Sequence, residues 1–295
     1  MFTDVNNQLQ RKGLNMNKVL REFYSSSQTY LEILKKHDEN SFAEYIKLCK
    51  TKIPSGASIL ECGCGVGFSS YLLAKEGFKV TATDISPLFI SEAKKKYHNQ
   101  SGLKYFVEDA SNISFSDQSF DAVGSIAFIE HVTDVKKTLK EMWRILRKEG
   151  ILILPVPNFL DPVPHLITFI KWKAKNNYKP WEPKTRIGAF YQFIRITFLR
   201  ILKAARINKT IYFLKPILSD EKDALGEDFD ATWLANWFDV KNILNELGFS
   251  IQVIFPEDPR GKTIQVMEAL KLPKRLQSSY KKMRASGCFI VGIKK

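Results

Sequence analysis

The sequence predicts an α/β fold: a seven-stranded, mostly parallel sheet with helices on both faces, an N-terminal helical cap and a large helical insertion after the fifth strand. Three observations carry that expectation. Short apolar runs alternate with charged helical stretches between residues 57 and 157, the pattern of a parallel sheet covered on both sides. A glycine-rich turn follows the first of these runs. Two further β-rich runs appear after the alternation has stopped. The composition suits such a core, since 44% of the 295 residues are hydrophobic and 26% charged, well away from disordered or collagen-like chains.

Residues 14 to 50 read as one or two helices, with Leu20, Phe23, Tyr24, Tyr30, Leu31, Leu34, Phe42, Tyr45, Ile46 and Cys49 at helical spacing. Pro54-Ser55-Gly56 ends that region. Five strands are then predicted at 57–61, 78–84, 103–109, 120–126 and 151–157, each short, β-branched or aromatic and bounded by turn residues. Helices fall between them at Phe68 to Glu76, Pro87 to His98 and Val135 to Arg147, the second with Ser86 as cap and Pro87 at its first position. After Asn158 the alternation stops and a long segment follows, then a helix carrying Trp233, Leu234, Trp237, Val240, Ile243 and Leu247 and closed by Gly248. Strands at 249–255 and 288–295 are expected at the edge of the same sheet.

Several classes drop out. Cys49, Cys62, Cys64 and Cys288 are too few and too scattered for a disulfide framework, which favours a reducing, cytoplasmic setting. No apolar stretch of a secretory signal or a spanning helix is seen, and no fixed-period repeat. Lys and Arg number 45 against 31 Asp and Glu, a formal +14, so an acidic partner or an anionic surface enters consideration.

The most informative stretch is ILECGCGVGFSS, where a strand ends in Glu61 and runs into Gly63, Gly65 and Gly67. Glycines at a strand-to-helix turn let the backbone approach a ligand and leave helix N-terminal amides facing it. A dinucleotide fingerprint needs its third glycine where Phe68 stands, and no Lys-Ser/Thr follows for a P-loop. Asp84 lies about twenty residues on, where α/β nucleotide folds place a ribose-binding acid, and Asp109 ends the third strand. In a doubly wound sheet Glu61, Gly63, Asp84 and Asp109 share one crevice, and three acids suit a ligand rich in donors and positively charged.

From Ile59 to Asn158 the chain resembles the class I S-adenosylmethionine-dependent methyltransferases. ECGCGVG resembles their first motif, TATDIS the second strand with its ribose-binding acid, and EDASNISFSDQSFDAVGSIAFIEHVTD the adenine-contact loop running into strand four. LKEMWRILRKEGILILPVPN resembles the helix, turn and fifth strand that follow. The resemblance implies a Rossmann-like core holding S-adenosylmethionine. It places Gly63, Gly65 and Gly67 under the methionine part, Asp84 on the ribose, Ile85 on the adenine face, and Asp109 with the Ala110 amide at the adenine edge. Glu61, Cys64 and Ser125 complete the set expected around the cofactor. It also divides the chain into an N-terminal cap (1–54), a cofactor-binding core (55–158), a basic aromatic-rich insertion or substrate lid (159–232) and the C-terminal part of the core (233–295).

Methyl transfer from a sulfonium needs alignment and exclusion of water, and a base only where the acceptor must lose a proton. His131, beside Glu130, is the candidate base, with a structural role as the alternative reading. Quinone-type O-methyltransferases that resemble this segment carry an extra acid three residues before the Glu-His pair; here Ala127 stands there, and no metal is expected. Tyr24, Tyr30, Asn158, Asp228, Asp230, Trp233, Asn236 and Trp237 are further acceptor-side candidates; Trp233 and Trp237, at i and i+4, share one helix face, and for them, as for the two tyrosines, packing is the alternative role.

From His165 to Lys215 there are twelve Lys or Arg and one acid, Glu182, which leaves +11 of the total +14 in this one segment. On a helical wheel Arg195, Arg200, Lys203 and Arg206 share one face, interrupted by Ile196 and Leu199, and Phe190, Phe193, Ile194, Phe198, Ile201 and Leu202 the other. Such a segment suits an anionic membrane surface, a substrate lid or, with stacking aromatics, RNA, although no RNA-binding module is recognisable. The sequence therefore points to a methyltransferase acting on a small, lipid-linked or amphipathic acceptor, peripheral on the inner membrane face if the insertion binds lipid. The competing readings are a membrane-surface protein with a vestigial cofactor fold and an RNA methyltransferase.

Overall fold

The computed structural model describes residues 15–174, 178–219, 228–255 and 287–295. Three helices open it: α1 (Met16–Ser26), α2 (Gln28–Lys35) and α3 (Glu39–Lys52). The stretch expected to hold one or two helices is cut twice, because Ser27 and Asp38 cap the following helices by accepting from the backbone amides of Tyr30 and Ser41.

The core alternates β1 (Ser58–Cys62), α4 (Phe68–Lys75), β2 (Lys79–Asp84), α5 (Pro87–Tyr97), β3 (Leu103–Val107), β4 (Phe120–Ser125), α6 (Val135–Ile145) and β5 (Leu146–Pro157). The insertion contributes α7 (Val163–Ile170) and α8 (Arg186–Ala204), and the chain closes with α9 (Trp237–Glu246), β6 (Phe249–Ile254) and β7 (Gly287–Lys294). The seven strands lie in the order β3-β2-β1-β4-β5-β7-β6. Neighbours from β3 through β5 pair in parallel, and β7 pairs antiparallel with both β5 and β6. The sheet is thus mostly parallel, as expected, with β6 at the edge and β7 inserted beside β5.

Each face of the sheet buries one apolar layer. Tyr45, Ile46 and Cys49 of α3, Leu73 of α4 and Ile90 and Ala93 of α5 pack with Ile59, Val80 and Ala82 on one side. Leu139, Met142 and Ile145 of α6 and Val240 and Leu244 of α9 pack with Leu60, Val123 and Leu152 on the other. Strand order reverses between β1 and β4, and at that switch point a doubly wound sheet opens a crevice at the carboxyl ends of its strands. All four cysteines are buried and unpaired. Among the described residues no helix is long and apolar enough to cross a membrane.

Three elements differ from expectation. β5 begins at Leu146, inside the segment expected to be helical, because Leu146 already pairs with Phe120 and the chain regains register at Ile151 after a shift. The last helix starts at Trp237 rather than Trp233: the Asn236 side chain caps it by accepting from the Asp239 amide. Trp233 instead lies in an extended segment bridged to Phe213, so the two tryptophans do not share a helix face.

The third difference is the rotation of α8. Its buried residues are Ala189, Ile196, Leu199 and Lys203, so the two apolar residues expected to intrude on a basic face are the ones that anchor the helix. Lys203 is 1% exposed; its Nζ meets Asp239 Oδ1 of α9 at 2.6 Å and donates to the Thr210 carbonyl at 2.8 Å. Arg200 donates to the Leu160 carbonyl at 3.2 Å. Phe190, Ile194, Phe198 and Ile201 face outward. Lys175 of the basic segment, with its neighbours 176 and 177, and the insertion's residues 220–227 lie outside the described residues, as do 1–14 of the cap and 256–286 of the C-terminal part.

Candidate functional site

The turn after β1 is built for close approach. Gly63, Gly65 and Gly67 have φ of 67°, 53° and 80°, a left-handed backbone that side chains with a Cβ adopt at a cost. A Cβ on Gly63 would sit 2.3 Å from the Phe128 ring, and one on Gly67 would sit 2.6 Å from the Tyr105 hydroxyl. Gly67 therefore serves the packing of the α4 start against β3, whereas Gly63 and Gly65 line an open cleft.

That cleft brings together Gly63, Gly65, Asp84, Ile85, Asp109 and Ala110 of the expected cofactor set. Asp84 ends β2 with both oxygens held: Oδ2 accepts from the Gly65 amide and Oδ1 from the Ser86 amide, each at 2.9 Å. Burial raises its pKa to about 6, and these backbone amides pull it back. Asp109 accepts from the Ser111 amide at 2.8 Å and from the Asn17 side-chain amide at 2.7 Å. Through that second bond α1 lies across the cleft, and Thr133 donates to Asn17 Oδ1 from the far wall.

The remaining cofactor candidates lie elsewhere. Cys64 lines an adjoining hollow with Tyr30, Ile126 and His131. Glu61 is fully buried behind the turn, where Ser70 of α4 donates to its Oε2, and burial raises its pKa to about 7. Ser125 is likewise buried and lines neither the cleft nor this hollow.

His131 sits on a single 3₁₀ turn, Ile129–His131, on the wall of the cleft. Its Nδ1 is 3.4 Å from Asp230 Oδ1 and its Nε2 is 3.7 Å from Glu130 Oε1. The segment bearing Asp230 is fixed against this turn. The Thr232 amide donates to the Glu130 carbonyl at 3.0 Å and the Trp233 indole to the Ile129 carbonyl at 2.7 Å. On the other side the Tyr24 hydroxyl donates to Asp230 Oδ2 at 2.6 Å.

Burial disfavours the imidazolium, but Asp230, Glu130 and Asp228 outweigh it, and the His131 pKa stands above its ordinary value. Burial also holds Glu130 up at about 7, with His131 opposing. Tyr24 and Tyr30 keep their protons, since burial and then Asp230 raise both.

Ligand atoms of Glu130, His131 and Asp228 lie within 4.8 Å of one another, and Glu130 Oε2 is buried without a hydrogen-bond partner. Asp228, nearly a hundred residues further along the chain, thus adds a second carboxylate beside the Glu-His pair, a relation no spacing could show. These three side chains are able to hold a cation, and His131 can act as a base only where none is bound to it.

Of the other acceptor-side candidates, Tyr24, Tyr30, Asp228 and Asp230 gather around His131. Asn158 lines a second cavity with Phe159, Trp172 and Trp181, and Asp228 lies on its wall as well. Trp233, Asn236 and Trp237 do structural work: the first bonds the 3₁₀ turn, the second caps α9 and the third stacks on Phe238. Sequence reasoning missed Asn17 and Phe128: Asn17 sits in no motif, and Phe128, although inside the quoted stretch that ends in Glu130-His131, carries no polar group to single it out.

Residues 60–154 match the methyltransferase domain family. A 2-methyl-6-phytyl-1,4-hydroquinone methyltransferase of Synechocystis sp. is 39% identical over 103 residues, 35% of this chain and 32% of that protein. A demethylmenaquinone methyltransferase of Beutenbergia cavernae is 31% identical over 173 residues, 58% of this chain and 62% of that protein. The chain thus spans about a third to three fifths of the length of these curated relatives. In fold it is similar to an S-adenosylmethionine-dependent methyltransferase of Mesorhizobium loti, with a TM-score of 0.53 at 16% identity over 87% of this chain and 100% of that one. It is similar also to a phosphoethanolamine N-methyltransferase of Haemonchus contortus, with a TM-score of 0.53 at 18% identity over 93% and 59%. The chain therefore contains a methyltransferase domain of the class I S-adenosylmethionine-dependent family.

Proposed function

We propose that this protein transfers a methyl group from S-adenosylmethionine to a hydroxyl of a small amphipathic acceptor of the quinol type. The observation that carries the reading is the single cleft shared by Gly63, Gly65, Asp84, Asp109 and His131. Open glycine backbone beside two buried or half-buried carboxylates fits an adenosyl ligand that offers ribose hydroxyls and an amine. Gly63 and Gly65 would hold its methionine part, Asp84 its ribose and Asp109 with the Ala110 amide its adenine. When bound, that cofactor supplies an electrophilic methyl on sulfur.

The chain's own contribution is to place and deprotonate the acceptor. His131 takes the hydroxyl proton, and Asp230 behind Nδ1 orients the ring and stabilises the imidazolium that results. Tyr24, locked on Asp230, keeps that carboxylate in place and covers it from water. The second cavity, with aromatic walls from Phe159, Trp172 and Trp181, would take the apolar part of the acceptor, and Asp228 joins it to the His131 hollow. The hydroquinone named for the Synechocystis relative and the demethylmenaquinone named for the Beutenbergia one support a quinone- or quinol-type acceptor, and a ubiquinone biosynthesis O-methyltransferase of Xanthomonas axonopodis, 32% identical over 108 residues, supports a hydroxyl as the methylated group.

Calorimetry with S-adenosylhomocysteine, followed by turnover on a panel of hydroquinones, tests the reading. Binding with methylation of a hydroquinone hydroxyl is expected, and His131→Asn should lower kcat about 10²-fold or more while leaving S-adenosylhomocysteine affinity unchanged. Failure of the wild type to bind S-adenosylhomocysteine would overturn it.

A further inference from the structure

From the outward face of α8 and the end of α7, we infer that this protein docks on an anionic membrane surface, with α8 lying flat in the lipid headgroup layer. The inference does not depend on the methyltransferase reading. α8 is held to the body by Ala189, Ile196, Leu199 and Lys203, the arc that packs near Leu160 and Leu234. Directly opposite at 100° per residue lie Ile187, Phe190, Tyr191, Ile194, Phe198 and Ile201, and all six are exposed, from 44% at Phe190 to 81% at Ile187. The strip continues onto α7, where the Phe169 ring meets Phe190 at 5.0 Å and Ile170 is 60% exposed. A contiguous run of large apolar side chains on a helix already anchored by its other face marks a contact surface.

Charge identifies the occupant. Lys171, Lys184, Arg186 and Arg206 border the strip and are exposed, and Glu182 is the one acid between His165 and Lys215. A second copy of this chain would bring an equally cationic face and be repelled. Nucleic acid would meet aliphatic isoleucines where its phosphates need cations. An anionic bilayer matches both parts at once, since headgroup phosphates meet the border and acyl chains the strip. With no spanning helix among the described residues, the attachment is interfacial.

Co-sedimentation of the full chain with vesicles of phosphatidylcholine alone and with added phosphatidylglycerol tests this, read beside sedimentation velocity without lipid. Pelleting with the anionic vesicles, weakened by salt, is expected. Lys184→Glu with Arg206→Glu should weaken it at least about fivefold for each cation removed. Ile194→Ser with Phe198→Ser should abolish it while thermal melting stays that of the wild type, because both side chains are exposed. Absence of pelleting with anionic vesicles, equal binding by the Ile194→Ser/Phe198→Ser variant, or a dimer that this variant dissolves would each overturn the inference.

Discussion

Replacing Glu61 with Gln should make the protein more stable at alkaline pH and leave it almost unchanged in acid. The wild-type carboxyl is fully buried, receives one hydrogen bond from Ser70 and leaves Oε1 without a partner. Its pKa rises from 4.5 in the unfolded chain to about 7 in the folded one, with desolvation as the cause. Below 4.5 both states hold the proton and nothing is lost. Between 4.5 and 7 the folded state binds more protons than the unfolded one, so stability falls as pH rises. At about 1.4 kcal/mol for each pH unit the loss is complete above 7 and amounts to about 3 kcal/mol. Gln keeps the shape and cannot ionise. Urea unfolding at pH 8 should therefore show Glu61→Gln more stable than wild type by about 2–3 kcal/mol, shrinking to within about 0.5 kcal/mol at pH 4. Comparing the two proteins at each pH cancels Asp84 and Glu130, which titrate in both. The same stability difference at both pH values would refute the argument. Because Glu61 lines neither the cleft nor its neighbour, S-adenosylhomocysteine affinity should change less than about twofold.

Asp84→Ala removes a carboxylate whose oxygens also hold the Gly65 and Ser86 amides, and calorimetry should show S-adenosylhomocysteine affinity reduced by about 1–3 kcal/mol. Gly67→Ala forces a Cβ to 2.6 Å from the Tyr105 hydroxyl at a φ of 80°, and denaturant melts should record a loss of about 1–3 kcal/mol. Lys203→Met leaves Asp239 buried without its partner and should cost about 3–5 kcal/mol, most of it recovered in the double variant Lys203→Met/Asp239→Leu.

The strands and the glycine turn were legible because their signals are local: β-branched runs, Gly and Pro at the boundaries, an acid at a strand end. The convergence of Asp84, Asp109 and the glycines followed from topology alone, since the carboxyl ends of parallel strands share an edge. The rotation of α8 was not legible, because a helix rich in Ile, Phe, Arg and Lys offers two faces that could be buried. The choice fell to Lys203, whose partner is thirty-six residues away. Asp230 could be named as a candidate, but its pairing with Tyr24 spans 206 positions. Glu61 looked like a ligand because it ends a strand beside the glycines; only packing shows it turned inward to Ser70. Trp233 fitted helical spacing, yet Asn236 is a stronger start signal than the apolar period before it.

The buried Lys203–Asp239 contact has a mechanical consequence. Swinging α8 away from α9 would expose a lone ammonium and a lone carboxylate to an incomplete shell of water, at about 3–5 kcal/mol, so such a state holds fewer than about one molecule in a hundred. The insertion is bolted to the body. α1 crosses the cleft on different terms, held by Asn17 on Asp109, by Tyr24 on Asp230 and by the apolar packing of Leu20 and Tyr24 against Val66 and Phe89, none of which strands a charge if it parts. The insertion is the rigid rim of the cleft, and any part of the wall that yields must do so without stranding a charge.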